Sequence, residues 1–188
     1  MNRAHSLFEV KGFDDETREI QGIATTPTPD RMGDIVEPKG AVFKLPIPLL
    51  WQHRSDQPIG HVVSARVTRD GISVSAKLAK VAESGTLKDR LDEAWQSLKT
   101  GLVRGLSIGF NPIGDPEKIE NTYSYKFSKW EWLELSAVTI PANADASIQT
   151  VKAFDSEWVA SDRDRGIVRL DDEITRRVRR ARKGAVYL

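Results

Sequence analysis

Much of the chain alternates apolar and polar residues with a period of two, which is the pattern of half-buried β-strands. Six segments show it clearly: residues 6–10, 18–24, 61–68, 72–78, 103–110 and 129–140. The third and fourth are separated by Asp70-Gly71, a strong signal for a tight hairpin because both residue types tolerate a positive φ. The pattern predicts a mainly β domain.

One stretch has helical periodicity instead. Its apolar residues recur at i, i+4, i+7, i+8 and i+11, which places them on one helix face: Leu87, Leu91, Ala94, Trp95 and Leu98. Thr86 or Ser84 can cap the start and Gly101 can end it. We therefore predict a helix over 87–98 that packs on the outside of the β-structure.

Two regions of the chain lack both the strand and the helix pattern. Residues 26–40 are rich in proline and glycine and predict a loop, whereas the chain beyond residue 154 carries charge in blocks. Residues 155–175 lean acidic, and 176–183 hold six cations in eight positions with little apolar surface. The 188 residues therefore divide into a folded domain, 1–154, and a charged C-terminal tail, 155–188.

Composition removes several classes of chemistry. With no cysteine, the chain has no disulfide, zinc–thiolate site, iron–sulfur cluster or cysteine nucleophile, and its histidines are His5, His53 and His61. The net charge of +1 gives no global field toward nucleic acid. No apolar run approaches the roughly 18 residues of a membrane span, and no signal peptide is evident. We expect a soluble intracellular protein without metal or cofactor.

Residues 105–109, Gly-Leu-Ser-Ile-Gly, match the G-x-S-x-G motif of α/β-hydrolases. That motif needs a helix directly after the serine and a histidine later in the chain, and neither follows Ser107. The chymotrypsin order, in which the acid stands between histidine and serine, would need Asp56, Asp70 or Glu83, and nothing here resembles its serine segment. The remaining order is histidine, serine, then a third residue downstream.

Four segments in this order resemble the prohead (capsid-maturation) serine proteases of HK97-type tailed bacteriophages, which are similar in fold to the herpesvirus assembly proteases. They are residues 22–36 (first hairpin and loop), 49–60 (Leu-Leu-Trp-Gln-His to Pro-Ile-Gly), 102–110 (the serine strand) and 132–146 (an acidic strand ending in Pro-Ala-Asn). The resemblance implies a mainly β fold with a few helices, built as a closed or nearly closed antiparallel barrel.

The resemblance also implies roles for three residues. Ser107 is the nucleophile, His53 accepts its proton and passes it to the leaving amine, and Glu134 orients and stabilises the imidazole. The third member varies among related assembly proteases, so Glu131 and Asp145 remain substitutes for Glu134.

Two further assignments rest on position. His61 is a second alternative for the third member, although the family usually has another polar residue there, which favours an ordinary surface histidine. The backbone N–H groups of Pro141-Ala142-Asn143 follow the acidic strand and are expected to form the oxyanion hole.

The resulting expectation is a serine endopeptidase that cleaves the major capsid protein, its scaffold or delta segment, and itself, inside the assembling prohead in the host cytoplasm. The resemblance allows a homo-oligomer, and we predict no membrane partner. The alternative function is a catalytically silent assembly or scaffolding module that docks through its basic tail. Nucleic-acid binding by residues 176–183 is disfavoured because acidic residues flank the cations and no aromatic residues are interleaved.

Overall fold

The computed structural model describes residues 15–152 and 168–169, which form strands around one α-helix. The strands are β1 (Glu19–Thr25), β2 (Ile35–Val36), β3 (Ala41–Val42), β4 (Ile47–Trp51), β5 (Arg54–Val67), β6 (Ile72–Leu78), β7 (Gly105–Pro112), β8 (Glu117–Lys118), β9 (Tyr125–Phe127), β10 (Trp130–Val138), β11 (Ile148–Lys152) and β12 (Val168–Arg169). The helix α1 is Thr86–Lys99, and a short 3₁₀ helix spans Pro38–Gly40.

Nine of the strands form one mixed sheet. Its order is β11-β1-β6-β5-β4-β10-β3, with β7 paired to β10 and β12 paired to β5. Strand β10 runs antiparallel to β7 but parallel to β3 and β4. The serine-bearing and histidine-bearing parts of the chain thus flank the same strand, β10.

The prediction of a mainly β fold is confirmed, but the closed antiparallel barrel does not match the structure. The sheet is partly parallel, and in the described residues β7 approaches the chain before β11 through one isolated bridge, Gly105–Ser147. Alternation with a period of two is the same in parallel and antiparallel strands, so the sequence pattern carried no information on the direction of β4 relative to β10.

Most predicted elements are present. Strand β6 has the predicted bounds, and the hairpin between β5 and β6 closes through a hydrogen bond from Thr68 N–H to the Gly71 carbonyl oxygen. Helix α1 buries Leu91, Ala94, Trp95 and Leu98 of the predicted face but leaves Leu87, in its first turn, exposed, and Gly101 follows its end with φ +70°. Neither predicted side-chain cap forms, because Gly85 occupies the N-cap position. The predicted loop over 26–40 contains β2 and the 3₁₀ helix.

The core is formed by strands of the mixed sheet together with the buried face of α1, and the small second sheet of order β2-β9-β8 adds Val36 and Phe127 at its edge. Phe110 of β7 makes edge-to-face contacts with Phe127 and with fully buried Trp130, whose indole N–H donates to the Glu37 carbonyl oxygen at 2.8 Å. Leu106 and Leu135 are also fully buried. The side chains of β7 and β10 that alternate with these point to the opposite face, where the polar residues of the next section lie.

The remaining predictions fall at the ends of the chain. The predicted strand 6–10 and most of the charged tail 155–188 lie outside the described residues. Within that tail, β12 pairs antiparallel with Ser64 and Ala65 of β5. The division into residues 1–154 and 155–188 stays a prediction. Across the part of the chain that the structure describes, no helix has both the length and the apolar character needed to cross a membrane.

Candidate active site

His53 lies in a two-residue turn between β4 and β5. Trp51 pairs with Arg54, so Gln52 and His53 are the two central residues, and their φ values are +53° and +59°. This left-handed conformation suits a tight hairpin but disfavours residues with a side chain, by roughly 1–2 kcal/mol each. The structure holds both residues in this conformation because the turn is attached to β10.

Four hydrogen bonds make that attachment. The Gln52 backbone N–H donates to the Ala137 carbonyl oxygen at 3.0 Å, and the Gln52 carboxamide donates to Thr139 Oγ1 at 3.1 Å and accepts from Thr139 N–H at 3.2 Å. The His53 backbone N–H donates to Ser136 Oγ at 3.1 Å. The turn is therefore fixed to the C-terminal half of β10 and to Thr139 directly after it, which fixes the backbone position from which the imidazole extends.

The imidazole meets a carboxylate of β10. His53 Nδ1 lies 2.8 Å from Glu134 Oε1, and Ser136 Oγ donates to Glu134 Oε2 at 2.8 Å. The His53 side chain is 45% exposed and that of Glu134 is 15% exposed. The hydrogen bond to Glu134 is the main influence on the His53 pKa and raises it above its usual 6.5, against a smaller lowering by burial. Glu134 therefore stabilises the protonated imidazole.

Ser107 lies on the neighbouring strand, β7, directly opposite Ser136. Gly105 and Gly109 flank it on the same face, because side chains two residues apart in a strand point the same way. A Cβ on Gly105 would lie 2.7 Å from Pro141 Cδ and 2.8 Å from the Val138 carbonyl oxygen, and one on Gly109 would lie 2.7 Å from Glu134 Cγ. The two glycines of the G-x-S-x-G motif thus make room for neighbours of the serine and do not form a nucleophile elbow.

The positions of Glu134 and Gly109 show on which face of the sheet His53 lies relative to Ser107. The Glu134 carboxylate leans across Gly109 toward β7, and the His53 ring contacts the same carboxylate. The imidazole therefore lies over the face of the sheet that carries Ser107. Among the described residues, neither Ser107 Oγ nor His53 Nε2 makes a hydrogen bond, so each is available to a bound substrate or to the other.

A pocket opens beside Ser107. It lies between β7 and the loop that follows β1, and its lining includes Asp30, Asp34, Phe110, Ala142 and Asn143. One carboxylate oxygen of Asp30 accepts from the backbone N–H groups of Met32 and Asp34. One carboxylate oxygen of Asp34 accepts from the backbone N–H of Tyr125. The predicted oxyanion loop thus borders the same cavity as the predicted nucleophile.

Asn143 holds that loop in place. Its carboxamide nitrogen donates to the Thr26 carbonyl oxygen at 3.1 Å and to Thr26 Oγ1 at 3.0 Å, and its oxygen accepts from Asp145 N–H at 2.9 Å. The Arg31 backbone N–H and its Nε donate to the Ala142 and Pro141 carbonyl oxygens, both at 2.9 Å. The Pro-Ala-Asn turn is therefore bound to the loop over 26–31.

The alternative third members lie elsewhere. Glu131 is exposed and pairs in register with Asn111, near the start of β10. The Asp145 carboxylate accepts from Thr28 Oγ1 at 2.7 Å, and His61 is exposed on β5 opposite Pro48 and Lys77. Of the predicted candidates, Glu134 is the one whose carboxylate is hydrogen-bonded to His53. No group of three or more potential metal ligands is found in the described ranges.

Sequence reasoning missed two residues of this site, Gln52 and Ser136. The position of each residue in the sequence could have marked it as a candidate. Gln52 is the neighbour of His53 in a segment between two strands, and Ser136 stands two residues after Glu134, on the same strand face. The bonds of Gln52 to Thr139 and of Ser136 to the His53 backbone, however, required the tertiary pairing of β4 with β10.

Sequence comparisons find relatives among phage capsid and prohead proteins. Residues 19–160 match the family described as caudovirus prohead serine protease. The chain is 64% identical over 160 residues to the capsid polyprotein of Pseudomonas phage PAJU2, a match that covers 85% of this chain and 24% of that protein. It is 26% identical over 166 residues to the prohead protease of Escherichia phage T5, covering 79% of this chain and 74% of that one. The chain thus spans about a quarter of the polyprotein.

A solved structure of KSHV protease in complex with a hexapeptide phosphonate inhibitor is also similar. Its TM-score is 0.47 at 15% sequence identity, and the match covers 77% of this chain and 68% of that one.

Proposed function

The chain belongs to the caudovirus prohead serine protease family, and from this we propose that it is a serine endopeptidase acting on capsid protein during phage head assembly. The observation that carries the proposal is the 2.8 Å contact between His53 Nδ1 and Glu134 Oε1 on the sheet face that bears Ser107. A histidine held by a carboxylate beside a strand serine is the arrangement that activates a hydroxyl for attack on a peptide.

The mechanism follows from the proposed roles. Ser107 Oγ attacks the scissile carbonyl carbon while His53 Nε2 takes the hydroxyl proton, and Glu134 stabilises the imidazolium that forms. The imidazolium returns the proton to the leaving amine as the peptide C–N bond breaks. Water then attacks the acyl-serine ester, with His53 again as base, and releases the carboxylic acid and Ser107.

The oxyanion of each tetrahedral intermediate needs backbone donors. Pro141 has no N–H, so in the predicted segment the donors are the N–H groups of Ala142 and Asn143. Both residues border the pocket that Ser107 opens into, which supports this assignment. The hydrogen bonds of Asn143 to Thr26 hold this turn against the loop that follows β1.

The substrates that we propose are the major capsid protein with its scaffold or delta segment, and the protease chain itself. Support comes from the 64% identity to part of a protein named capsid polyprotein. We propose that cleavage occurs inside the assembling prohead in the host cytoplasm, where protease copies and capsid copies are confined together; a homo-oligomer is compatible with this setting.

The test is co-expression of the chain with its capsid protein. We expect a new capsid N-terminus with the wild type and none with Ser107→Ala or His53→Ala. Two matched controls use the same changes elsewhere: Ser64→Ala, at a buried serine of β5, and His61→Ala, at an exposed histidine. Equal processing by Ser107→Ala and the wild type would contradict the proposal and favour a silent assembly module.

A further inference from the structure

We propose that Ser136 is a positioning residue that ties the base and the acid of the proposed triad together; the inference rests on the proposed function. Its hydroxyl accepts the His53 backbone N–H at 3.1 Å and donates its own proton to Glu134 Oε2 at 2.8 Å. One fully buried oxygen therefore touches the backbone of the histidine and the side chain of the glutamate.

The two hydrogen bonds of Ser136 restrain different motions, one of the Glu134 side chain and one of the His53 backbone. The Glu134 carboxylate can rotate about its last torsion, and the bond from Ser136 to Oε2 holds it so that Oε1 faces His53 Nδ1. The His53 backbone is in the left-handed region, with φ +59°, and the bond from its N–H holds the turn against β10. Without Ser136 both partners of the 2.8 Å ion pair lose a restraint at once.

Position in the fold explains why a serine stands here. Residue 136 faces Ser107 on β7 and Leu50 on β4, in the middle of the three strands that carry the site. A side chain at this place must be short enough to stay between the turn and the carboxylate, and it must both donate and accept. Serine meets both conditions, and alanine meets only the first.

Among the residues that the structure describes, Glu134 is the charged group that shifts the pKa of His53. Arg54 and Asp56, which follow His53 on β5, pair with each other at 3.5 Å. A fall in the His53 pKa on substitution of Ser136 is therefore the direction expected when the contact with Glu134 weakens, whereas a loss of burial alone would raise the pKa.

The test compares the full-length wild type with Ser136→Ala by NMR of histidine-labelled protein, together with proteolysis of the capsid protein. In the wild type we expect a protected His53 Nδ1–H signal and a titration above the usual histidine value. In Ser136→Ala we expect the Nδ1–H signal to disappear, the titration to fall toward the usual value, and kcat to drop about 100-fold with KM within about twofold. Ser64→Ala is the matched control and should leave all of these unchanged.

The outcomes separate the two proposals. An unchanged His53 signal and titration in Ser136→Ala would overturn the positioning role, as would full activity of that variant. If the signal responds as expected while the wild type itself cleaves nothing, the positioning role is supported and the proposed protease function fails. The three histidines are few enough for each signal to be assigned with single His→Ala variants.

Discussion

Gly109 lies opposite Glu134 across the β7–β10 pair, and the Glu134 side chain occupies the space that a side chain at residue 109 would fill. A Cβ there would stand 2.7 Å from Glu134 Cγ and 2.8 Å from its carboxyl carbon. The glycine that completes the G-x-S-x-G pattern is thus explained by the carboxylate that contacts His53. The motif is shared with α/β-hydrolases, but its physical cause here is different.

Gly109→Ala should abolish most activity while the protein still folds. The new methyl group has to displace Glu134, and a displacement of about 1 Å at the catalytic centre costs on the order of 100-fold in rate. The measurement is the rate of capsid protein cleavage, with circular dichroism to follow folding. Gly114→Ala is the control, because it adds strain at φ +82° with no atom within 4 Å of the new methyl group. A Gly109→Ala enzyme as active as Gly114→Ala would contradict this explanation.

Glu134→Gln should shift the pH dependence of cleavage to lower pH and reduce the rate. His53 has to be neutral to act as a base, and Glu134 raises its pKa above 6.5, so wild-type activity should rise only as the pH passes that raised value. Removal of the negative charge lowers the His53 pKa, and the rate falls by roughly 10³–10⁴-fold because the imidazole loses its orienting partner. A pH–rate profile of both proteins measures this, and Glu131→Gln, an exposed change on the same strand, should match the wild type.

The same pair should contribute to stability at low rather than high pH. Because the folded-state pKa of His53 is raised, the stabilisation is fully present below the unfolded value of about 6.5 and is lost as the pH rises through the folded value. Unfolding in denaturant across this range should show that slope in the wild type and a smaller slope in Glu134→Gln. The opposite slope would contradict the ion pair.

Gln52→Gly should separate stability from activity. Glycine adopts φ +53° without strain, which offsets part of the two lost hydrogen bonds to Thr139, each contributing about 0.5–1.5 kcal/mol. We expect a small change in the free energy of unfolding but about a tenfold loss of activity, because the His53 turn keeps only its two backbone N–H bonds, to Ala137 and Ser136, and loses both bonds to Thr139. Asn121→Gly, at φ +57° in an exposed turn, is the matched backbone control and should leave activity unchanged.

Asn143→Ala should destabilise the loop beside the pocket. The buried carboxamide bridges Thr26 and Asp145, and its removal leaves polar groups of that loop without partners, at a cost of about 1–3 kcal/mol. We expect a lower unfolding free energy together with a lower rate, because the turn that carries the proposed backbone oxyanion donors loses its side-chain bonds to Thr26 and Asp145. Asn111→Ala, at an exposed position of β7, serves as the control. A wild-type unfolding free energy in Asn143→Ala would argue against the bridge.

Individual elements and residues show what could be predicted from the sequence and what could not. The helix over 86–99 and the strands on either side of Gly71 were predictable because local periodicity reports which face of an element is buried. Ser107 and Glu134 were identified as candidates from motif order and resemblance, and the order was constrained because no histidine follows His61. Gln52 and Ser136 were not identified, because the bonds that join Gln52 to Thr139 and Ser136 to the His53 backbone span more than 80 positions of the chain.

By itself, the sequence determined the mainly β character, the bounds of the helix and the residue types available for catalysis, since these depend on side-chain chemistry and spacing along one chain. Only the tertiary structure decided that β4 and β10 run parallel, that the Gln52-His53 turn is left-handed, and that Glu134 is the acid in contact with the histidine. Those facts depend on which distant strands pair and in which register, and a period of two is compatible with either direction and with many registers.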